Sequence, residues 1–242
     1  FDESITLLKD LSFPTGVLPW GNGVLISIAP DIVFAADTND DGVADLVEPL
    51  YSGFGLANPQ HRINGFTYDL DHSVHLASGD NLGDIKSVKT GEVMSASGRD
   101  VQVWPQDGRM RATSGRSQYV RSRSDWREWF GNDNSRPLFH FPIEEVYWSK
   151  NPHIKSAGHT HQLFNPPVAP PVYPLTSTSE RFNDLFAASR FTSACSPIFA
   201  RAPGYDAPNI DTNFVSFICE PVHNLVHRTR LENVGATYRA NR

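Results

Sequence analysis

Val24 to Glu48 reads V-L-I-S-I-A-P-D-I-V-F-A-A-D-T-N-D-D-G-V-A-D-L-V-E. Its first half is dense in β-branched and aromatic residues and broken only by Pro30, which predicts two short strands, Val24–Ile28 and Ile32–Ala35. Its second half, Asp37 to Glu48, matches the calcium-loop pattern D-x-[DN]-x-[DN]-G-x5-E at every specified position. A hard cation of that size takes roughly six to eight oxygens, and a loop supplies them from alternate residues as it curls around the ion. Asp37, Asn39 and Asp41 offer side-chain oxygens, Gly42 permits the sharp turn, Val43 offers its carbonyl, and Asp45 and Glu48 complete the shell. A solvated acidic turn is the alternative, because Asp/Asn/Gly runs also turn without a metal. Leu46, Val47, Leu50 and Tyr51 then resume a strand pattern.

An EF-hand needs a helix on each side of its loop, and neither flank here has helical periodicity. The strand-loop-strand arrangement resembles the calcium loops of integrin-type propeller repeats. In that arrangement Asp45 supplies the closing carboxylate and Glu48 is optional. The site is expected to staple two strands together and to be structural.

Working outward, the same alternation recurs. Ser4–Leu8 is a short strand candidate before the Phe13-Pro14-Thr15-Gly16 turn. Gly65–Tyr68 and Val74–Ala77 flank a turn at Asp69–His72. Val101–Trp104 runs into Pro105-Gln106-Asp107-Gly108 and reads as a hairpin. Phe214–Ile218 and Asn224–Arg228 are late strands. The unit recurs loosely about every 40 to 50 residues, the length of a propeller blade. The predicted fold is therefore all-β, a single β-propeller domain over residues 1–242 with four or five blades present. Asn58–Arg62, Gly115–Arg136 and the Pro-rich Asn151–Pro174 read as irregular insertions, and Ser179–Ser189 as one short helix.

Twenty-one basic residues against 27 acidic ones give a formal charge of -6, with no electrostatic footprint for nucleic acid. No apolar run approaches the ~20 residues that span a bilayer. The chain starts at Phe1 without an initiator Met or a signal pattern, as a processed chain or a fragment would. Cys195 and Cys219 suit a disulfide or two buried thiols. A bridge, together with a calcium loop tuned to extracellular levels, points to a periplasmic or extracellular location.

Several longer stretches belong together: G-V-L-P-W-G-N-G-V-L-I-S-I-A-P-D-I from Gly16, A-D-T-N-D-D-G-V-A-D from Ala36, G-F-G-L-A-N-P-Q-H-R-I-N-G-F from Gly53, W-F-G-N-D-N-S-R-P-L from Trp129, and F-I-C-E-P-V-H-N-L-V-H-R from Phe217. Over nearly the whole chain these resemble the propeller domain of the membrane-bound dehydrogenases of planctomycete-type bacteria. That domain is itself similar to soluble sugar dehydrogenases that use pyrroloquinoline quinone. The resemblance implies a six-bladed propeller, of which this chain would be a piece incomplete at its C-terminus. It also implies a quinone-dependent sugar or alcohol dehydrogenase with a small-molecule substrate, and a cytochrome-type electron acceptor in the full-length protein. No C-x-x-C-H haem motif is present in this chain.

By that resemblance His61, ahead of Gly65–Tyr68, stands where a histidine removes the substrate hydroxyl proton as hydride passes to the quinone. Imidazole suits the task because it titrates near neutrality. Arg62 offers a bidentate partner for a cofactor carboxylate. Equally, both side chains suit bonding to loop carbonyls. A second set, Arg123, Trp126, Asn132, Asn134 and Arg136, groups polar donors beside aromatic residues, as a planar, polyanionic cofactor would require; a long polar loop anchored by its aromatics is the plainer reading. His153, His159 and His161 include an H-x-H, without an acidic or cysteine partner fixed by spacing. Two function classes follow: a quinone-dependent dehydrogenase, or a non-catalytic, calcium-stapled propeller that binds a glycan or a partner protein.

Overall fold

The computed structural model describes residues 4–79, 82–151, 153, 159–175, 189–200 and 214–241. The chain divides into two compact units, Phe1–Arg116 and Ser117–Arg242, each with its own sheets and core. The fold is all-β, built from four separate antiparallel sheets of the kind that form propeller blades. Among the described residues the sheets number four, which matches the lower of the two blade counts expected.

In the first unit, a period of two sets the first sheet. Strands β1 (Gly16–Trp20), β2 (Gly23–Ile28), β3 (Asp31–Ala36) and β4 (Leu46–Phe54) form an up-and-down meander. Ile32, Phe34 and Ala36 face one side, with Leu25, and join the main core. Val33 and Ala35 face the other, with Ile26, under Leu8 and Leu11. Being covered on both faces makes β2 and β3 read as continuous apolar runs. Pro49 lies where the β3–β4 register shifts, a place that tolerates a residue with no N–H to give. The stretch before Thr15 is irregular and not the strand expected at Ser4–Leu8; Ala44 N–H donates to the Leu7 carbonyl at 2.8 Å.

The second sheet is a meander of β5 (Asn64–Tyr68), β6 (Val74–Ala77), β9 (Val101–Trp104) and β10 (Arg109–Ala112). Between β6 and β9 the chain leaves it. Strands β7 (Leu82–Ser87) and β8 (Val93–Ser95) pair with each other, and β7 adds to β4, so the first sheet has six strands in the order β1-β2-β3-β4-β7-β8. At that seam Gly53 has φ +105°, and a Cβ on it would lie 2.2 Å from the Asp84 carbonyl oxygen, so only glycine fits. Val74, Leu76, Val101 and Val103 enter the core shared with the first sheet. On the opposite face a polar layer is buried: His75 Nε2 lies 3.3 Å from Asp69, Gln102 donates to Ser73, and Arg111 Nε donates to Gln102 at 2.6 Å.

In the second unit, β11 (Ser122–Arg123), β12 (Trp129–Gly131), β13 (Phe139–Phe141) and β14 (His161–Gln162) form the third meander, with a one-turn helix, α1 (Glu145–Trp148), between the last two. Strands β15 (Ile198–Phe199), β16 (Phe214–Glu220), β17 (Leu225–Val234) and β18 (Thr237–Asn241) form the fourth. Phe130 is fully buried and stacks on His140 at 4.8 Å, with Phe199 at 4.7 Å and Tyr238 at 5.7 Å. On the reverse face Trp129, Phe139 and Phe141 pack together, and the buried Arg121 guanidinium sits 3.8 Å from the Phe141 ring centroid, a cation–π contact. Gly115–Arg136, expected as an irregular insertion, thus holds two short strands, and β17 runs six residues past the expected Arg228. The helix expected over Ser179–Ser189 lies, apart from Ser189, outside the described residues.

Candidate functional site

The acidic loop joins β3 to β4, so its flanks are strands as the sequence predicts. It is wound by its own side chains. Asp37 Oδ1 accepts from Asp40 N–H at 2.7 Å and its Oδ2 from Gly42 N–H at 2.7 Å; Asn39 Oδ1 accepts from Asp41 N–H at 3.1 Å, and Asp41 Oδ1 from Val43 N–H at 2.8 Å. Gly42 takes φ +89° and Asp40 +64°. Asp45 accepts from both the N–H and the hydroxyl of Thr38, at 2.7 and 2.5 Å. These bonds hold Asp45 below the usual carboxylate range, the Thr38 hydroxyl most, and the Gly42 N–H leads the same effect on Asp37.

The donor set is all oxygen, from alternate residues of a curled segment, and fits calcium chemically. The carboxylates face backbone donors and Thr38; among the described residues no three His, Cys, Asp or Glu side chains form a metal-holding group. Glu48 lies in β4 opposite Phe34, beyond the end of the loop.

His61 ends a 3-10 turn, Pro59–His61, capped by the Asn58 side chain, which accepts from Gln60 N–H at 3.0 Å. It is half-buried. Its carbonyl packs against Gly79, just after β6, where a Cβ would meet His61 O at 2.3 Å. Arg62 lies with its guanidinium 4.9 Å from the Phe13 ring centroid and donates to the Leu56 carbonyl at 3.2 Å. That use is the plainer of the two readings of Arg62: it ties a loop together.

The residues of the second set are separately occupied. Asn132 is fully buried and its Nδ2 donates to the Ala194 and Cys195 carbonyls at 3.0 and 2.9 Å. Asn134 accepts from the Tyr119 hydroxyl at 3.3 Å. Arg136 pairs with Asp133 and lies 5.2 Å from the Phe139 ring centroid. Arg123 Nη1 donates to the Ser124 carbonyl at 3.4 Å. Trp126 stands 82% exposed at a turn. Asn132, Asn134, Arg136 and Arg123 are thus engaged with protein partners, and Trp126 is the exposed member of the set. His61 and Arg62 belong to the first unit and these five residues to the second.

His159 Nδ1 lies 3.5 Å from Glu145, and His161 is exposed on β14. Cys195 and Cys219 are both free thiols, Cys219 exposed, which replaces the expected bridge or buried pair. In the sequence Glu220 stands out only as the acidic neighbour of Cys219. It is fully buried and accepts from Thr192 and Ser193 N–H at 3.2 and 3.0 Å, from the Ser193 hydroxyl, and from His223 Nδ1 at 3.3 Å. His223 Nε2 in turn accepts from Ser189 N–H at 3.1 Å. The network anchors the segment entering β15. The motif E-P-V-H carried that signal, since a buried carboxylate needs donors at hand.

A cleft of about 570 Å³ opens between the edge strands β14 and β18. Leu163, Phe164, Val234 and Tyr238 give it apolar surface, and His161, Gln162, Asn165, Arg239 and Asn241 give it polar groups. The Ala240 N–H donates to the Leu163 carbonyl at 2.9 Å and ties the two edges together. Gln162 Oε1 is shielded from solvent and has no hydrogen-bond donor. Thr237 meets the buried His140 Nδ1 at 3.0 Å; burial first, then the charges of His161 and Arg121, push the His140 imidazole down to about 4. A mixed lining and a volume of this size suit a small ligand.

No curated protein matches the chain, and no solved structure does. A family model described as a domain of unknown function, DUF7133, matches residues 1–242, and the chain belongs to that family.

Proposed function

We propose that the chain is a non-catalytic binding domain of propeller type, stapled by calcium at the β3–β4 loop, and that it takes a glycan in the cleft between β14 and β18. The observation that carries this reading is the open cleft of about 570 Å³, whose lining sets His161, Gln162, Asn165, Arg239 and Asn241 beside apolar Leu163, Phe164 and Tyr238. A sugar ring has apolar C–H faces and a rim of hydroxyls that donate and accept, which matches such a mixed lining. Asp37, Asn39, Asp41, the Val43 carbonyl and Asp45 would hold the calcium, with Glu48 peripheral. The ion supplies charge that draws two strand ends together.

Calorimetric titration with a panel of neutral and uronic-acid oligosaccharides tests the binding reading. Binding is expected, and Gln162→Ala and Arg239→Ala should each weaken it. No binding, or binding indifferent to both substitutions, overturns it.

The dehydrogenase reading is the second, favoured by one observation: His61 is half-exposed on a turn ahead of β5. In it His61 would take the hydroxyl proton of a sugar or alcohol, bound pyrroloquinoline quinone would supply the hydride acceptor, and a cytochrome-type partner in the periplasm would receive the electrons. Reconstitution with the quinone and calcium, followed by a dye-linked assay, decides between the two. Turnover lost in His61→Ala supports the second reading.

A further inference from the structure

Two thiols meet at the edge of the fourth sheet. Strand β15 pairs with β16 through Ile198↔Phe217 and Phe199↔Ser216, and the chain before it continues along the same edge. There the Cys195 N–H donates to the Cys219 carbonyl at 2.9 Å. The ladder of Ile198 and Phe217 would set Ser196 opposite Cys219, so this bond marks a one-residue shift in register. Across antiparallel strands such a bond leaves the two α-carbons roughly 5 Å apart, inside the ~4.4–6.8 Å span that a disulfide bridges. The segment carrying Cys195 is fixed from both sides. Ala194 N–H donates to the Asn134 carbonyl at 3.1 Å, and Asn132 Nδ2 holds the Ala194 and Cys195 carbonyls. Glu220 holds Thr192 and Ser193 immediately before it. The two cysteines are therefore held side by side by the fold, 24 positions apart in sequence, and both are reduced.

We propose that Cys195 and Cys219 form a redox site, a dithiol that closes to an intramolecular disulfide when it meets a small-molecule disulfide of the glutathione type. The roles of the two sulfurs differ. Cys219 is exposed and is the first attacker; Cys195 is half-buried, with its Sγ donating to the Ser193 carbonyl at 3.7 Å, and resolves the adduct. Burial, Cys219 and Glu220 all raise the Cys195 thiol, which keeps it from attacking first.

The Cys219 thiolate attacks one sulfur of the oxidant, breaks its S–S bond, forms a mixed disulfide and releases one thiol. Cys195 then loses its proton and attacks the Cys219 sulfur, and the second half of the oxidant leaves as a thiol. Two protein thiols have given up two protons and two electrons, and one small disulfide has become two thiols. The product ties the segment entering β15 to β16 covalently.

Folded protein incubated with excess oxidised glutathione, quenched with acid and mapped by mass spectrometry, tests the assignment. Wild type should end lighter by two hydrogens, with a Cys195–Cys219 cross-linked peptide and no retained glutathione. Cys195→Ser should trap glutathione on Cys219. In Cys219→Ser, modification of Cys195 should be about tenfold slower or more, because burial keeps its thiolate fraction low. A persistent glutathione adduct on wild type, a disulfide between two molecules, or two thiols still titratable in the folded protein would each overturn the proposal. The wild-type result decides it even if neither variant folds.

Discussion

Thr38 grips Asp45 across the β3–β4 loop with two bonds, its N–H to Oδ1 at 2.7 Å and its hydroxyl to Oδ2 at 2.5 Å. One residue at each end of the loop thus closes it without a metal. Calcium would compete with Thr38 for the same carboxylate. The proposed staple then has a direct consequence: chelator should lower the melting temperature of the metal-loaded protein, because a ligand bound only to the folded state stabilises it by mass action. Asp41→Ala should abolish the shift, and Asp45→Asn should shrink it more than Glu48→Gln. Identical melting curves with and without chelator would refute the staple.

The same grip predicts an acid response. Asp45 and Asp37 are held below the usual carboxylate range, so their contribution is complete above about pH 4 and is lost as pH falls through their folded values. Thr38→Val removes the hydroxyl bond, the largest cause for Asp45. Its acid limb, followed by circular dichroism, should be shallower than that of wild type.

His140 acts in a higher window. Its folded value is about 4, against about 6.5 for an ordinary imidazole, so the unfolded chain binds the extra proton between those limits. Stability is therefore complete above about pH 6.5 and falls as pH drops toward 4, by about 3 kcal/mol for this one group. Urea unfolding at pH 7 and 4.5 should show His140→Gln losing less than wild type across that interval. Equal losses would remove His140 from the account.

Phe130 and Trp126 make opposite predictions from neighbouring positions. Phe130→Ala vacates a site with three ring neighbours and should cost about 3–5 kcal/mol. Trp126→Ala, at an exposed turn, should change stability by no more than about 0.5 kcal/mol. If the quinone stacks on Trp126, that variant should instead lose quinone binding at unchanged stability.

Glu220→Ala leaves the Thr192 and Ser193 N–H groups and His223 Nδ1 without the acceptor that the buried carboxylate supplies. It should cost about 3–5 kcal/mol, read from urea midpoints. Glu220→Gln keeps one acceptor oxygen and should cost less. A loss below 1 kcal/mol for the alanine variant would mean that water reaches the site.

The strands that could be read in the sequence were the longer ones, Val24–Ile28, Ile32–Ala35 and Val101–Trp104 in the first unit and Phe214–Ile218 and Asn224–Arg228 in the second. Strands β11 to β15 have two or three residues each, too few for a period of two to register, and so the polar stretch around Arg123 read as a loop. The calcium-loop pattern fixed which residues curl together, because its Asx bonds are local. Arg62 and Asn132 were legible as donors, but their acceptors, Leu56 and the Ala194 carbonyl, are set by the fold. The β14–β18 cleft was invisible for the same reason: its two walls lie some seventy residues apart, and the H-x-H of His159 and His161 marks only one of them.

The β7–β8 hairpin interlocks the first two sheets. It leaves the chain between β6 and β9 and seats on β4. Neither sheet can therefore be cut out as an exchangeable repeat. A fragment ending at Phe54 would carry β4 with a bare edge, open to pairing with other chains, and one starting at Asn64 would carry a hairpin with no strand to join. Repeat proteins tolerate loss or duplication of a unit when each unit contacts its neighbour only side to side. Here evolution by whole-blade insertion or deletion is blocked between the first and second sheets, and the smallest piece of this unit that can be moved intact contains both.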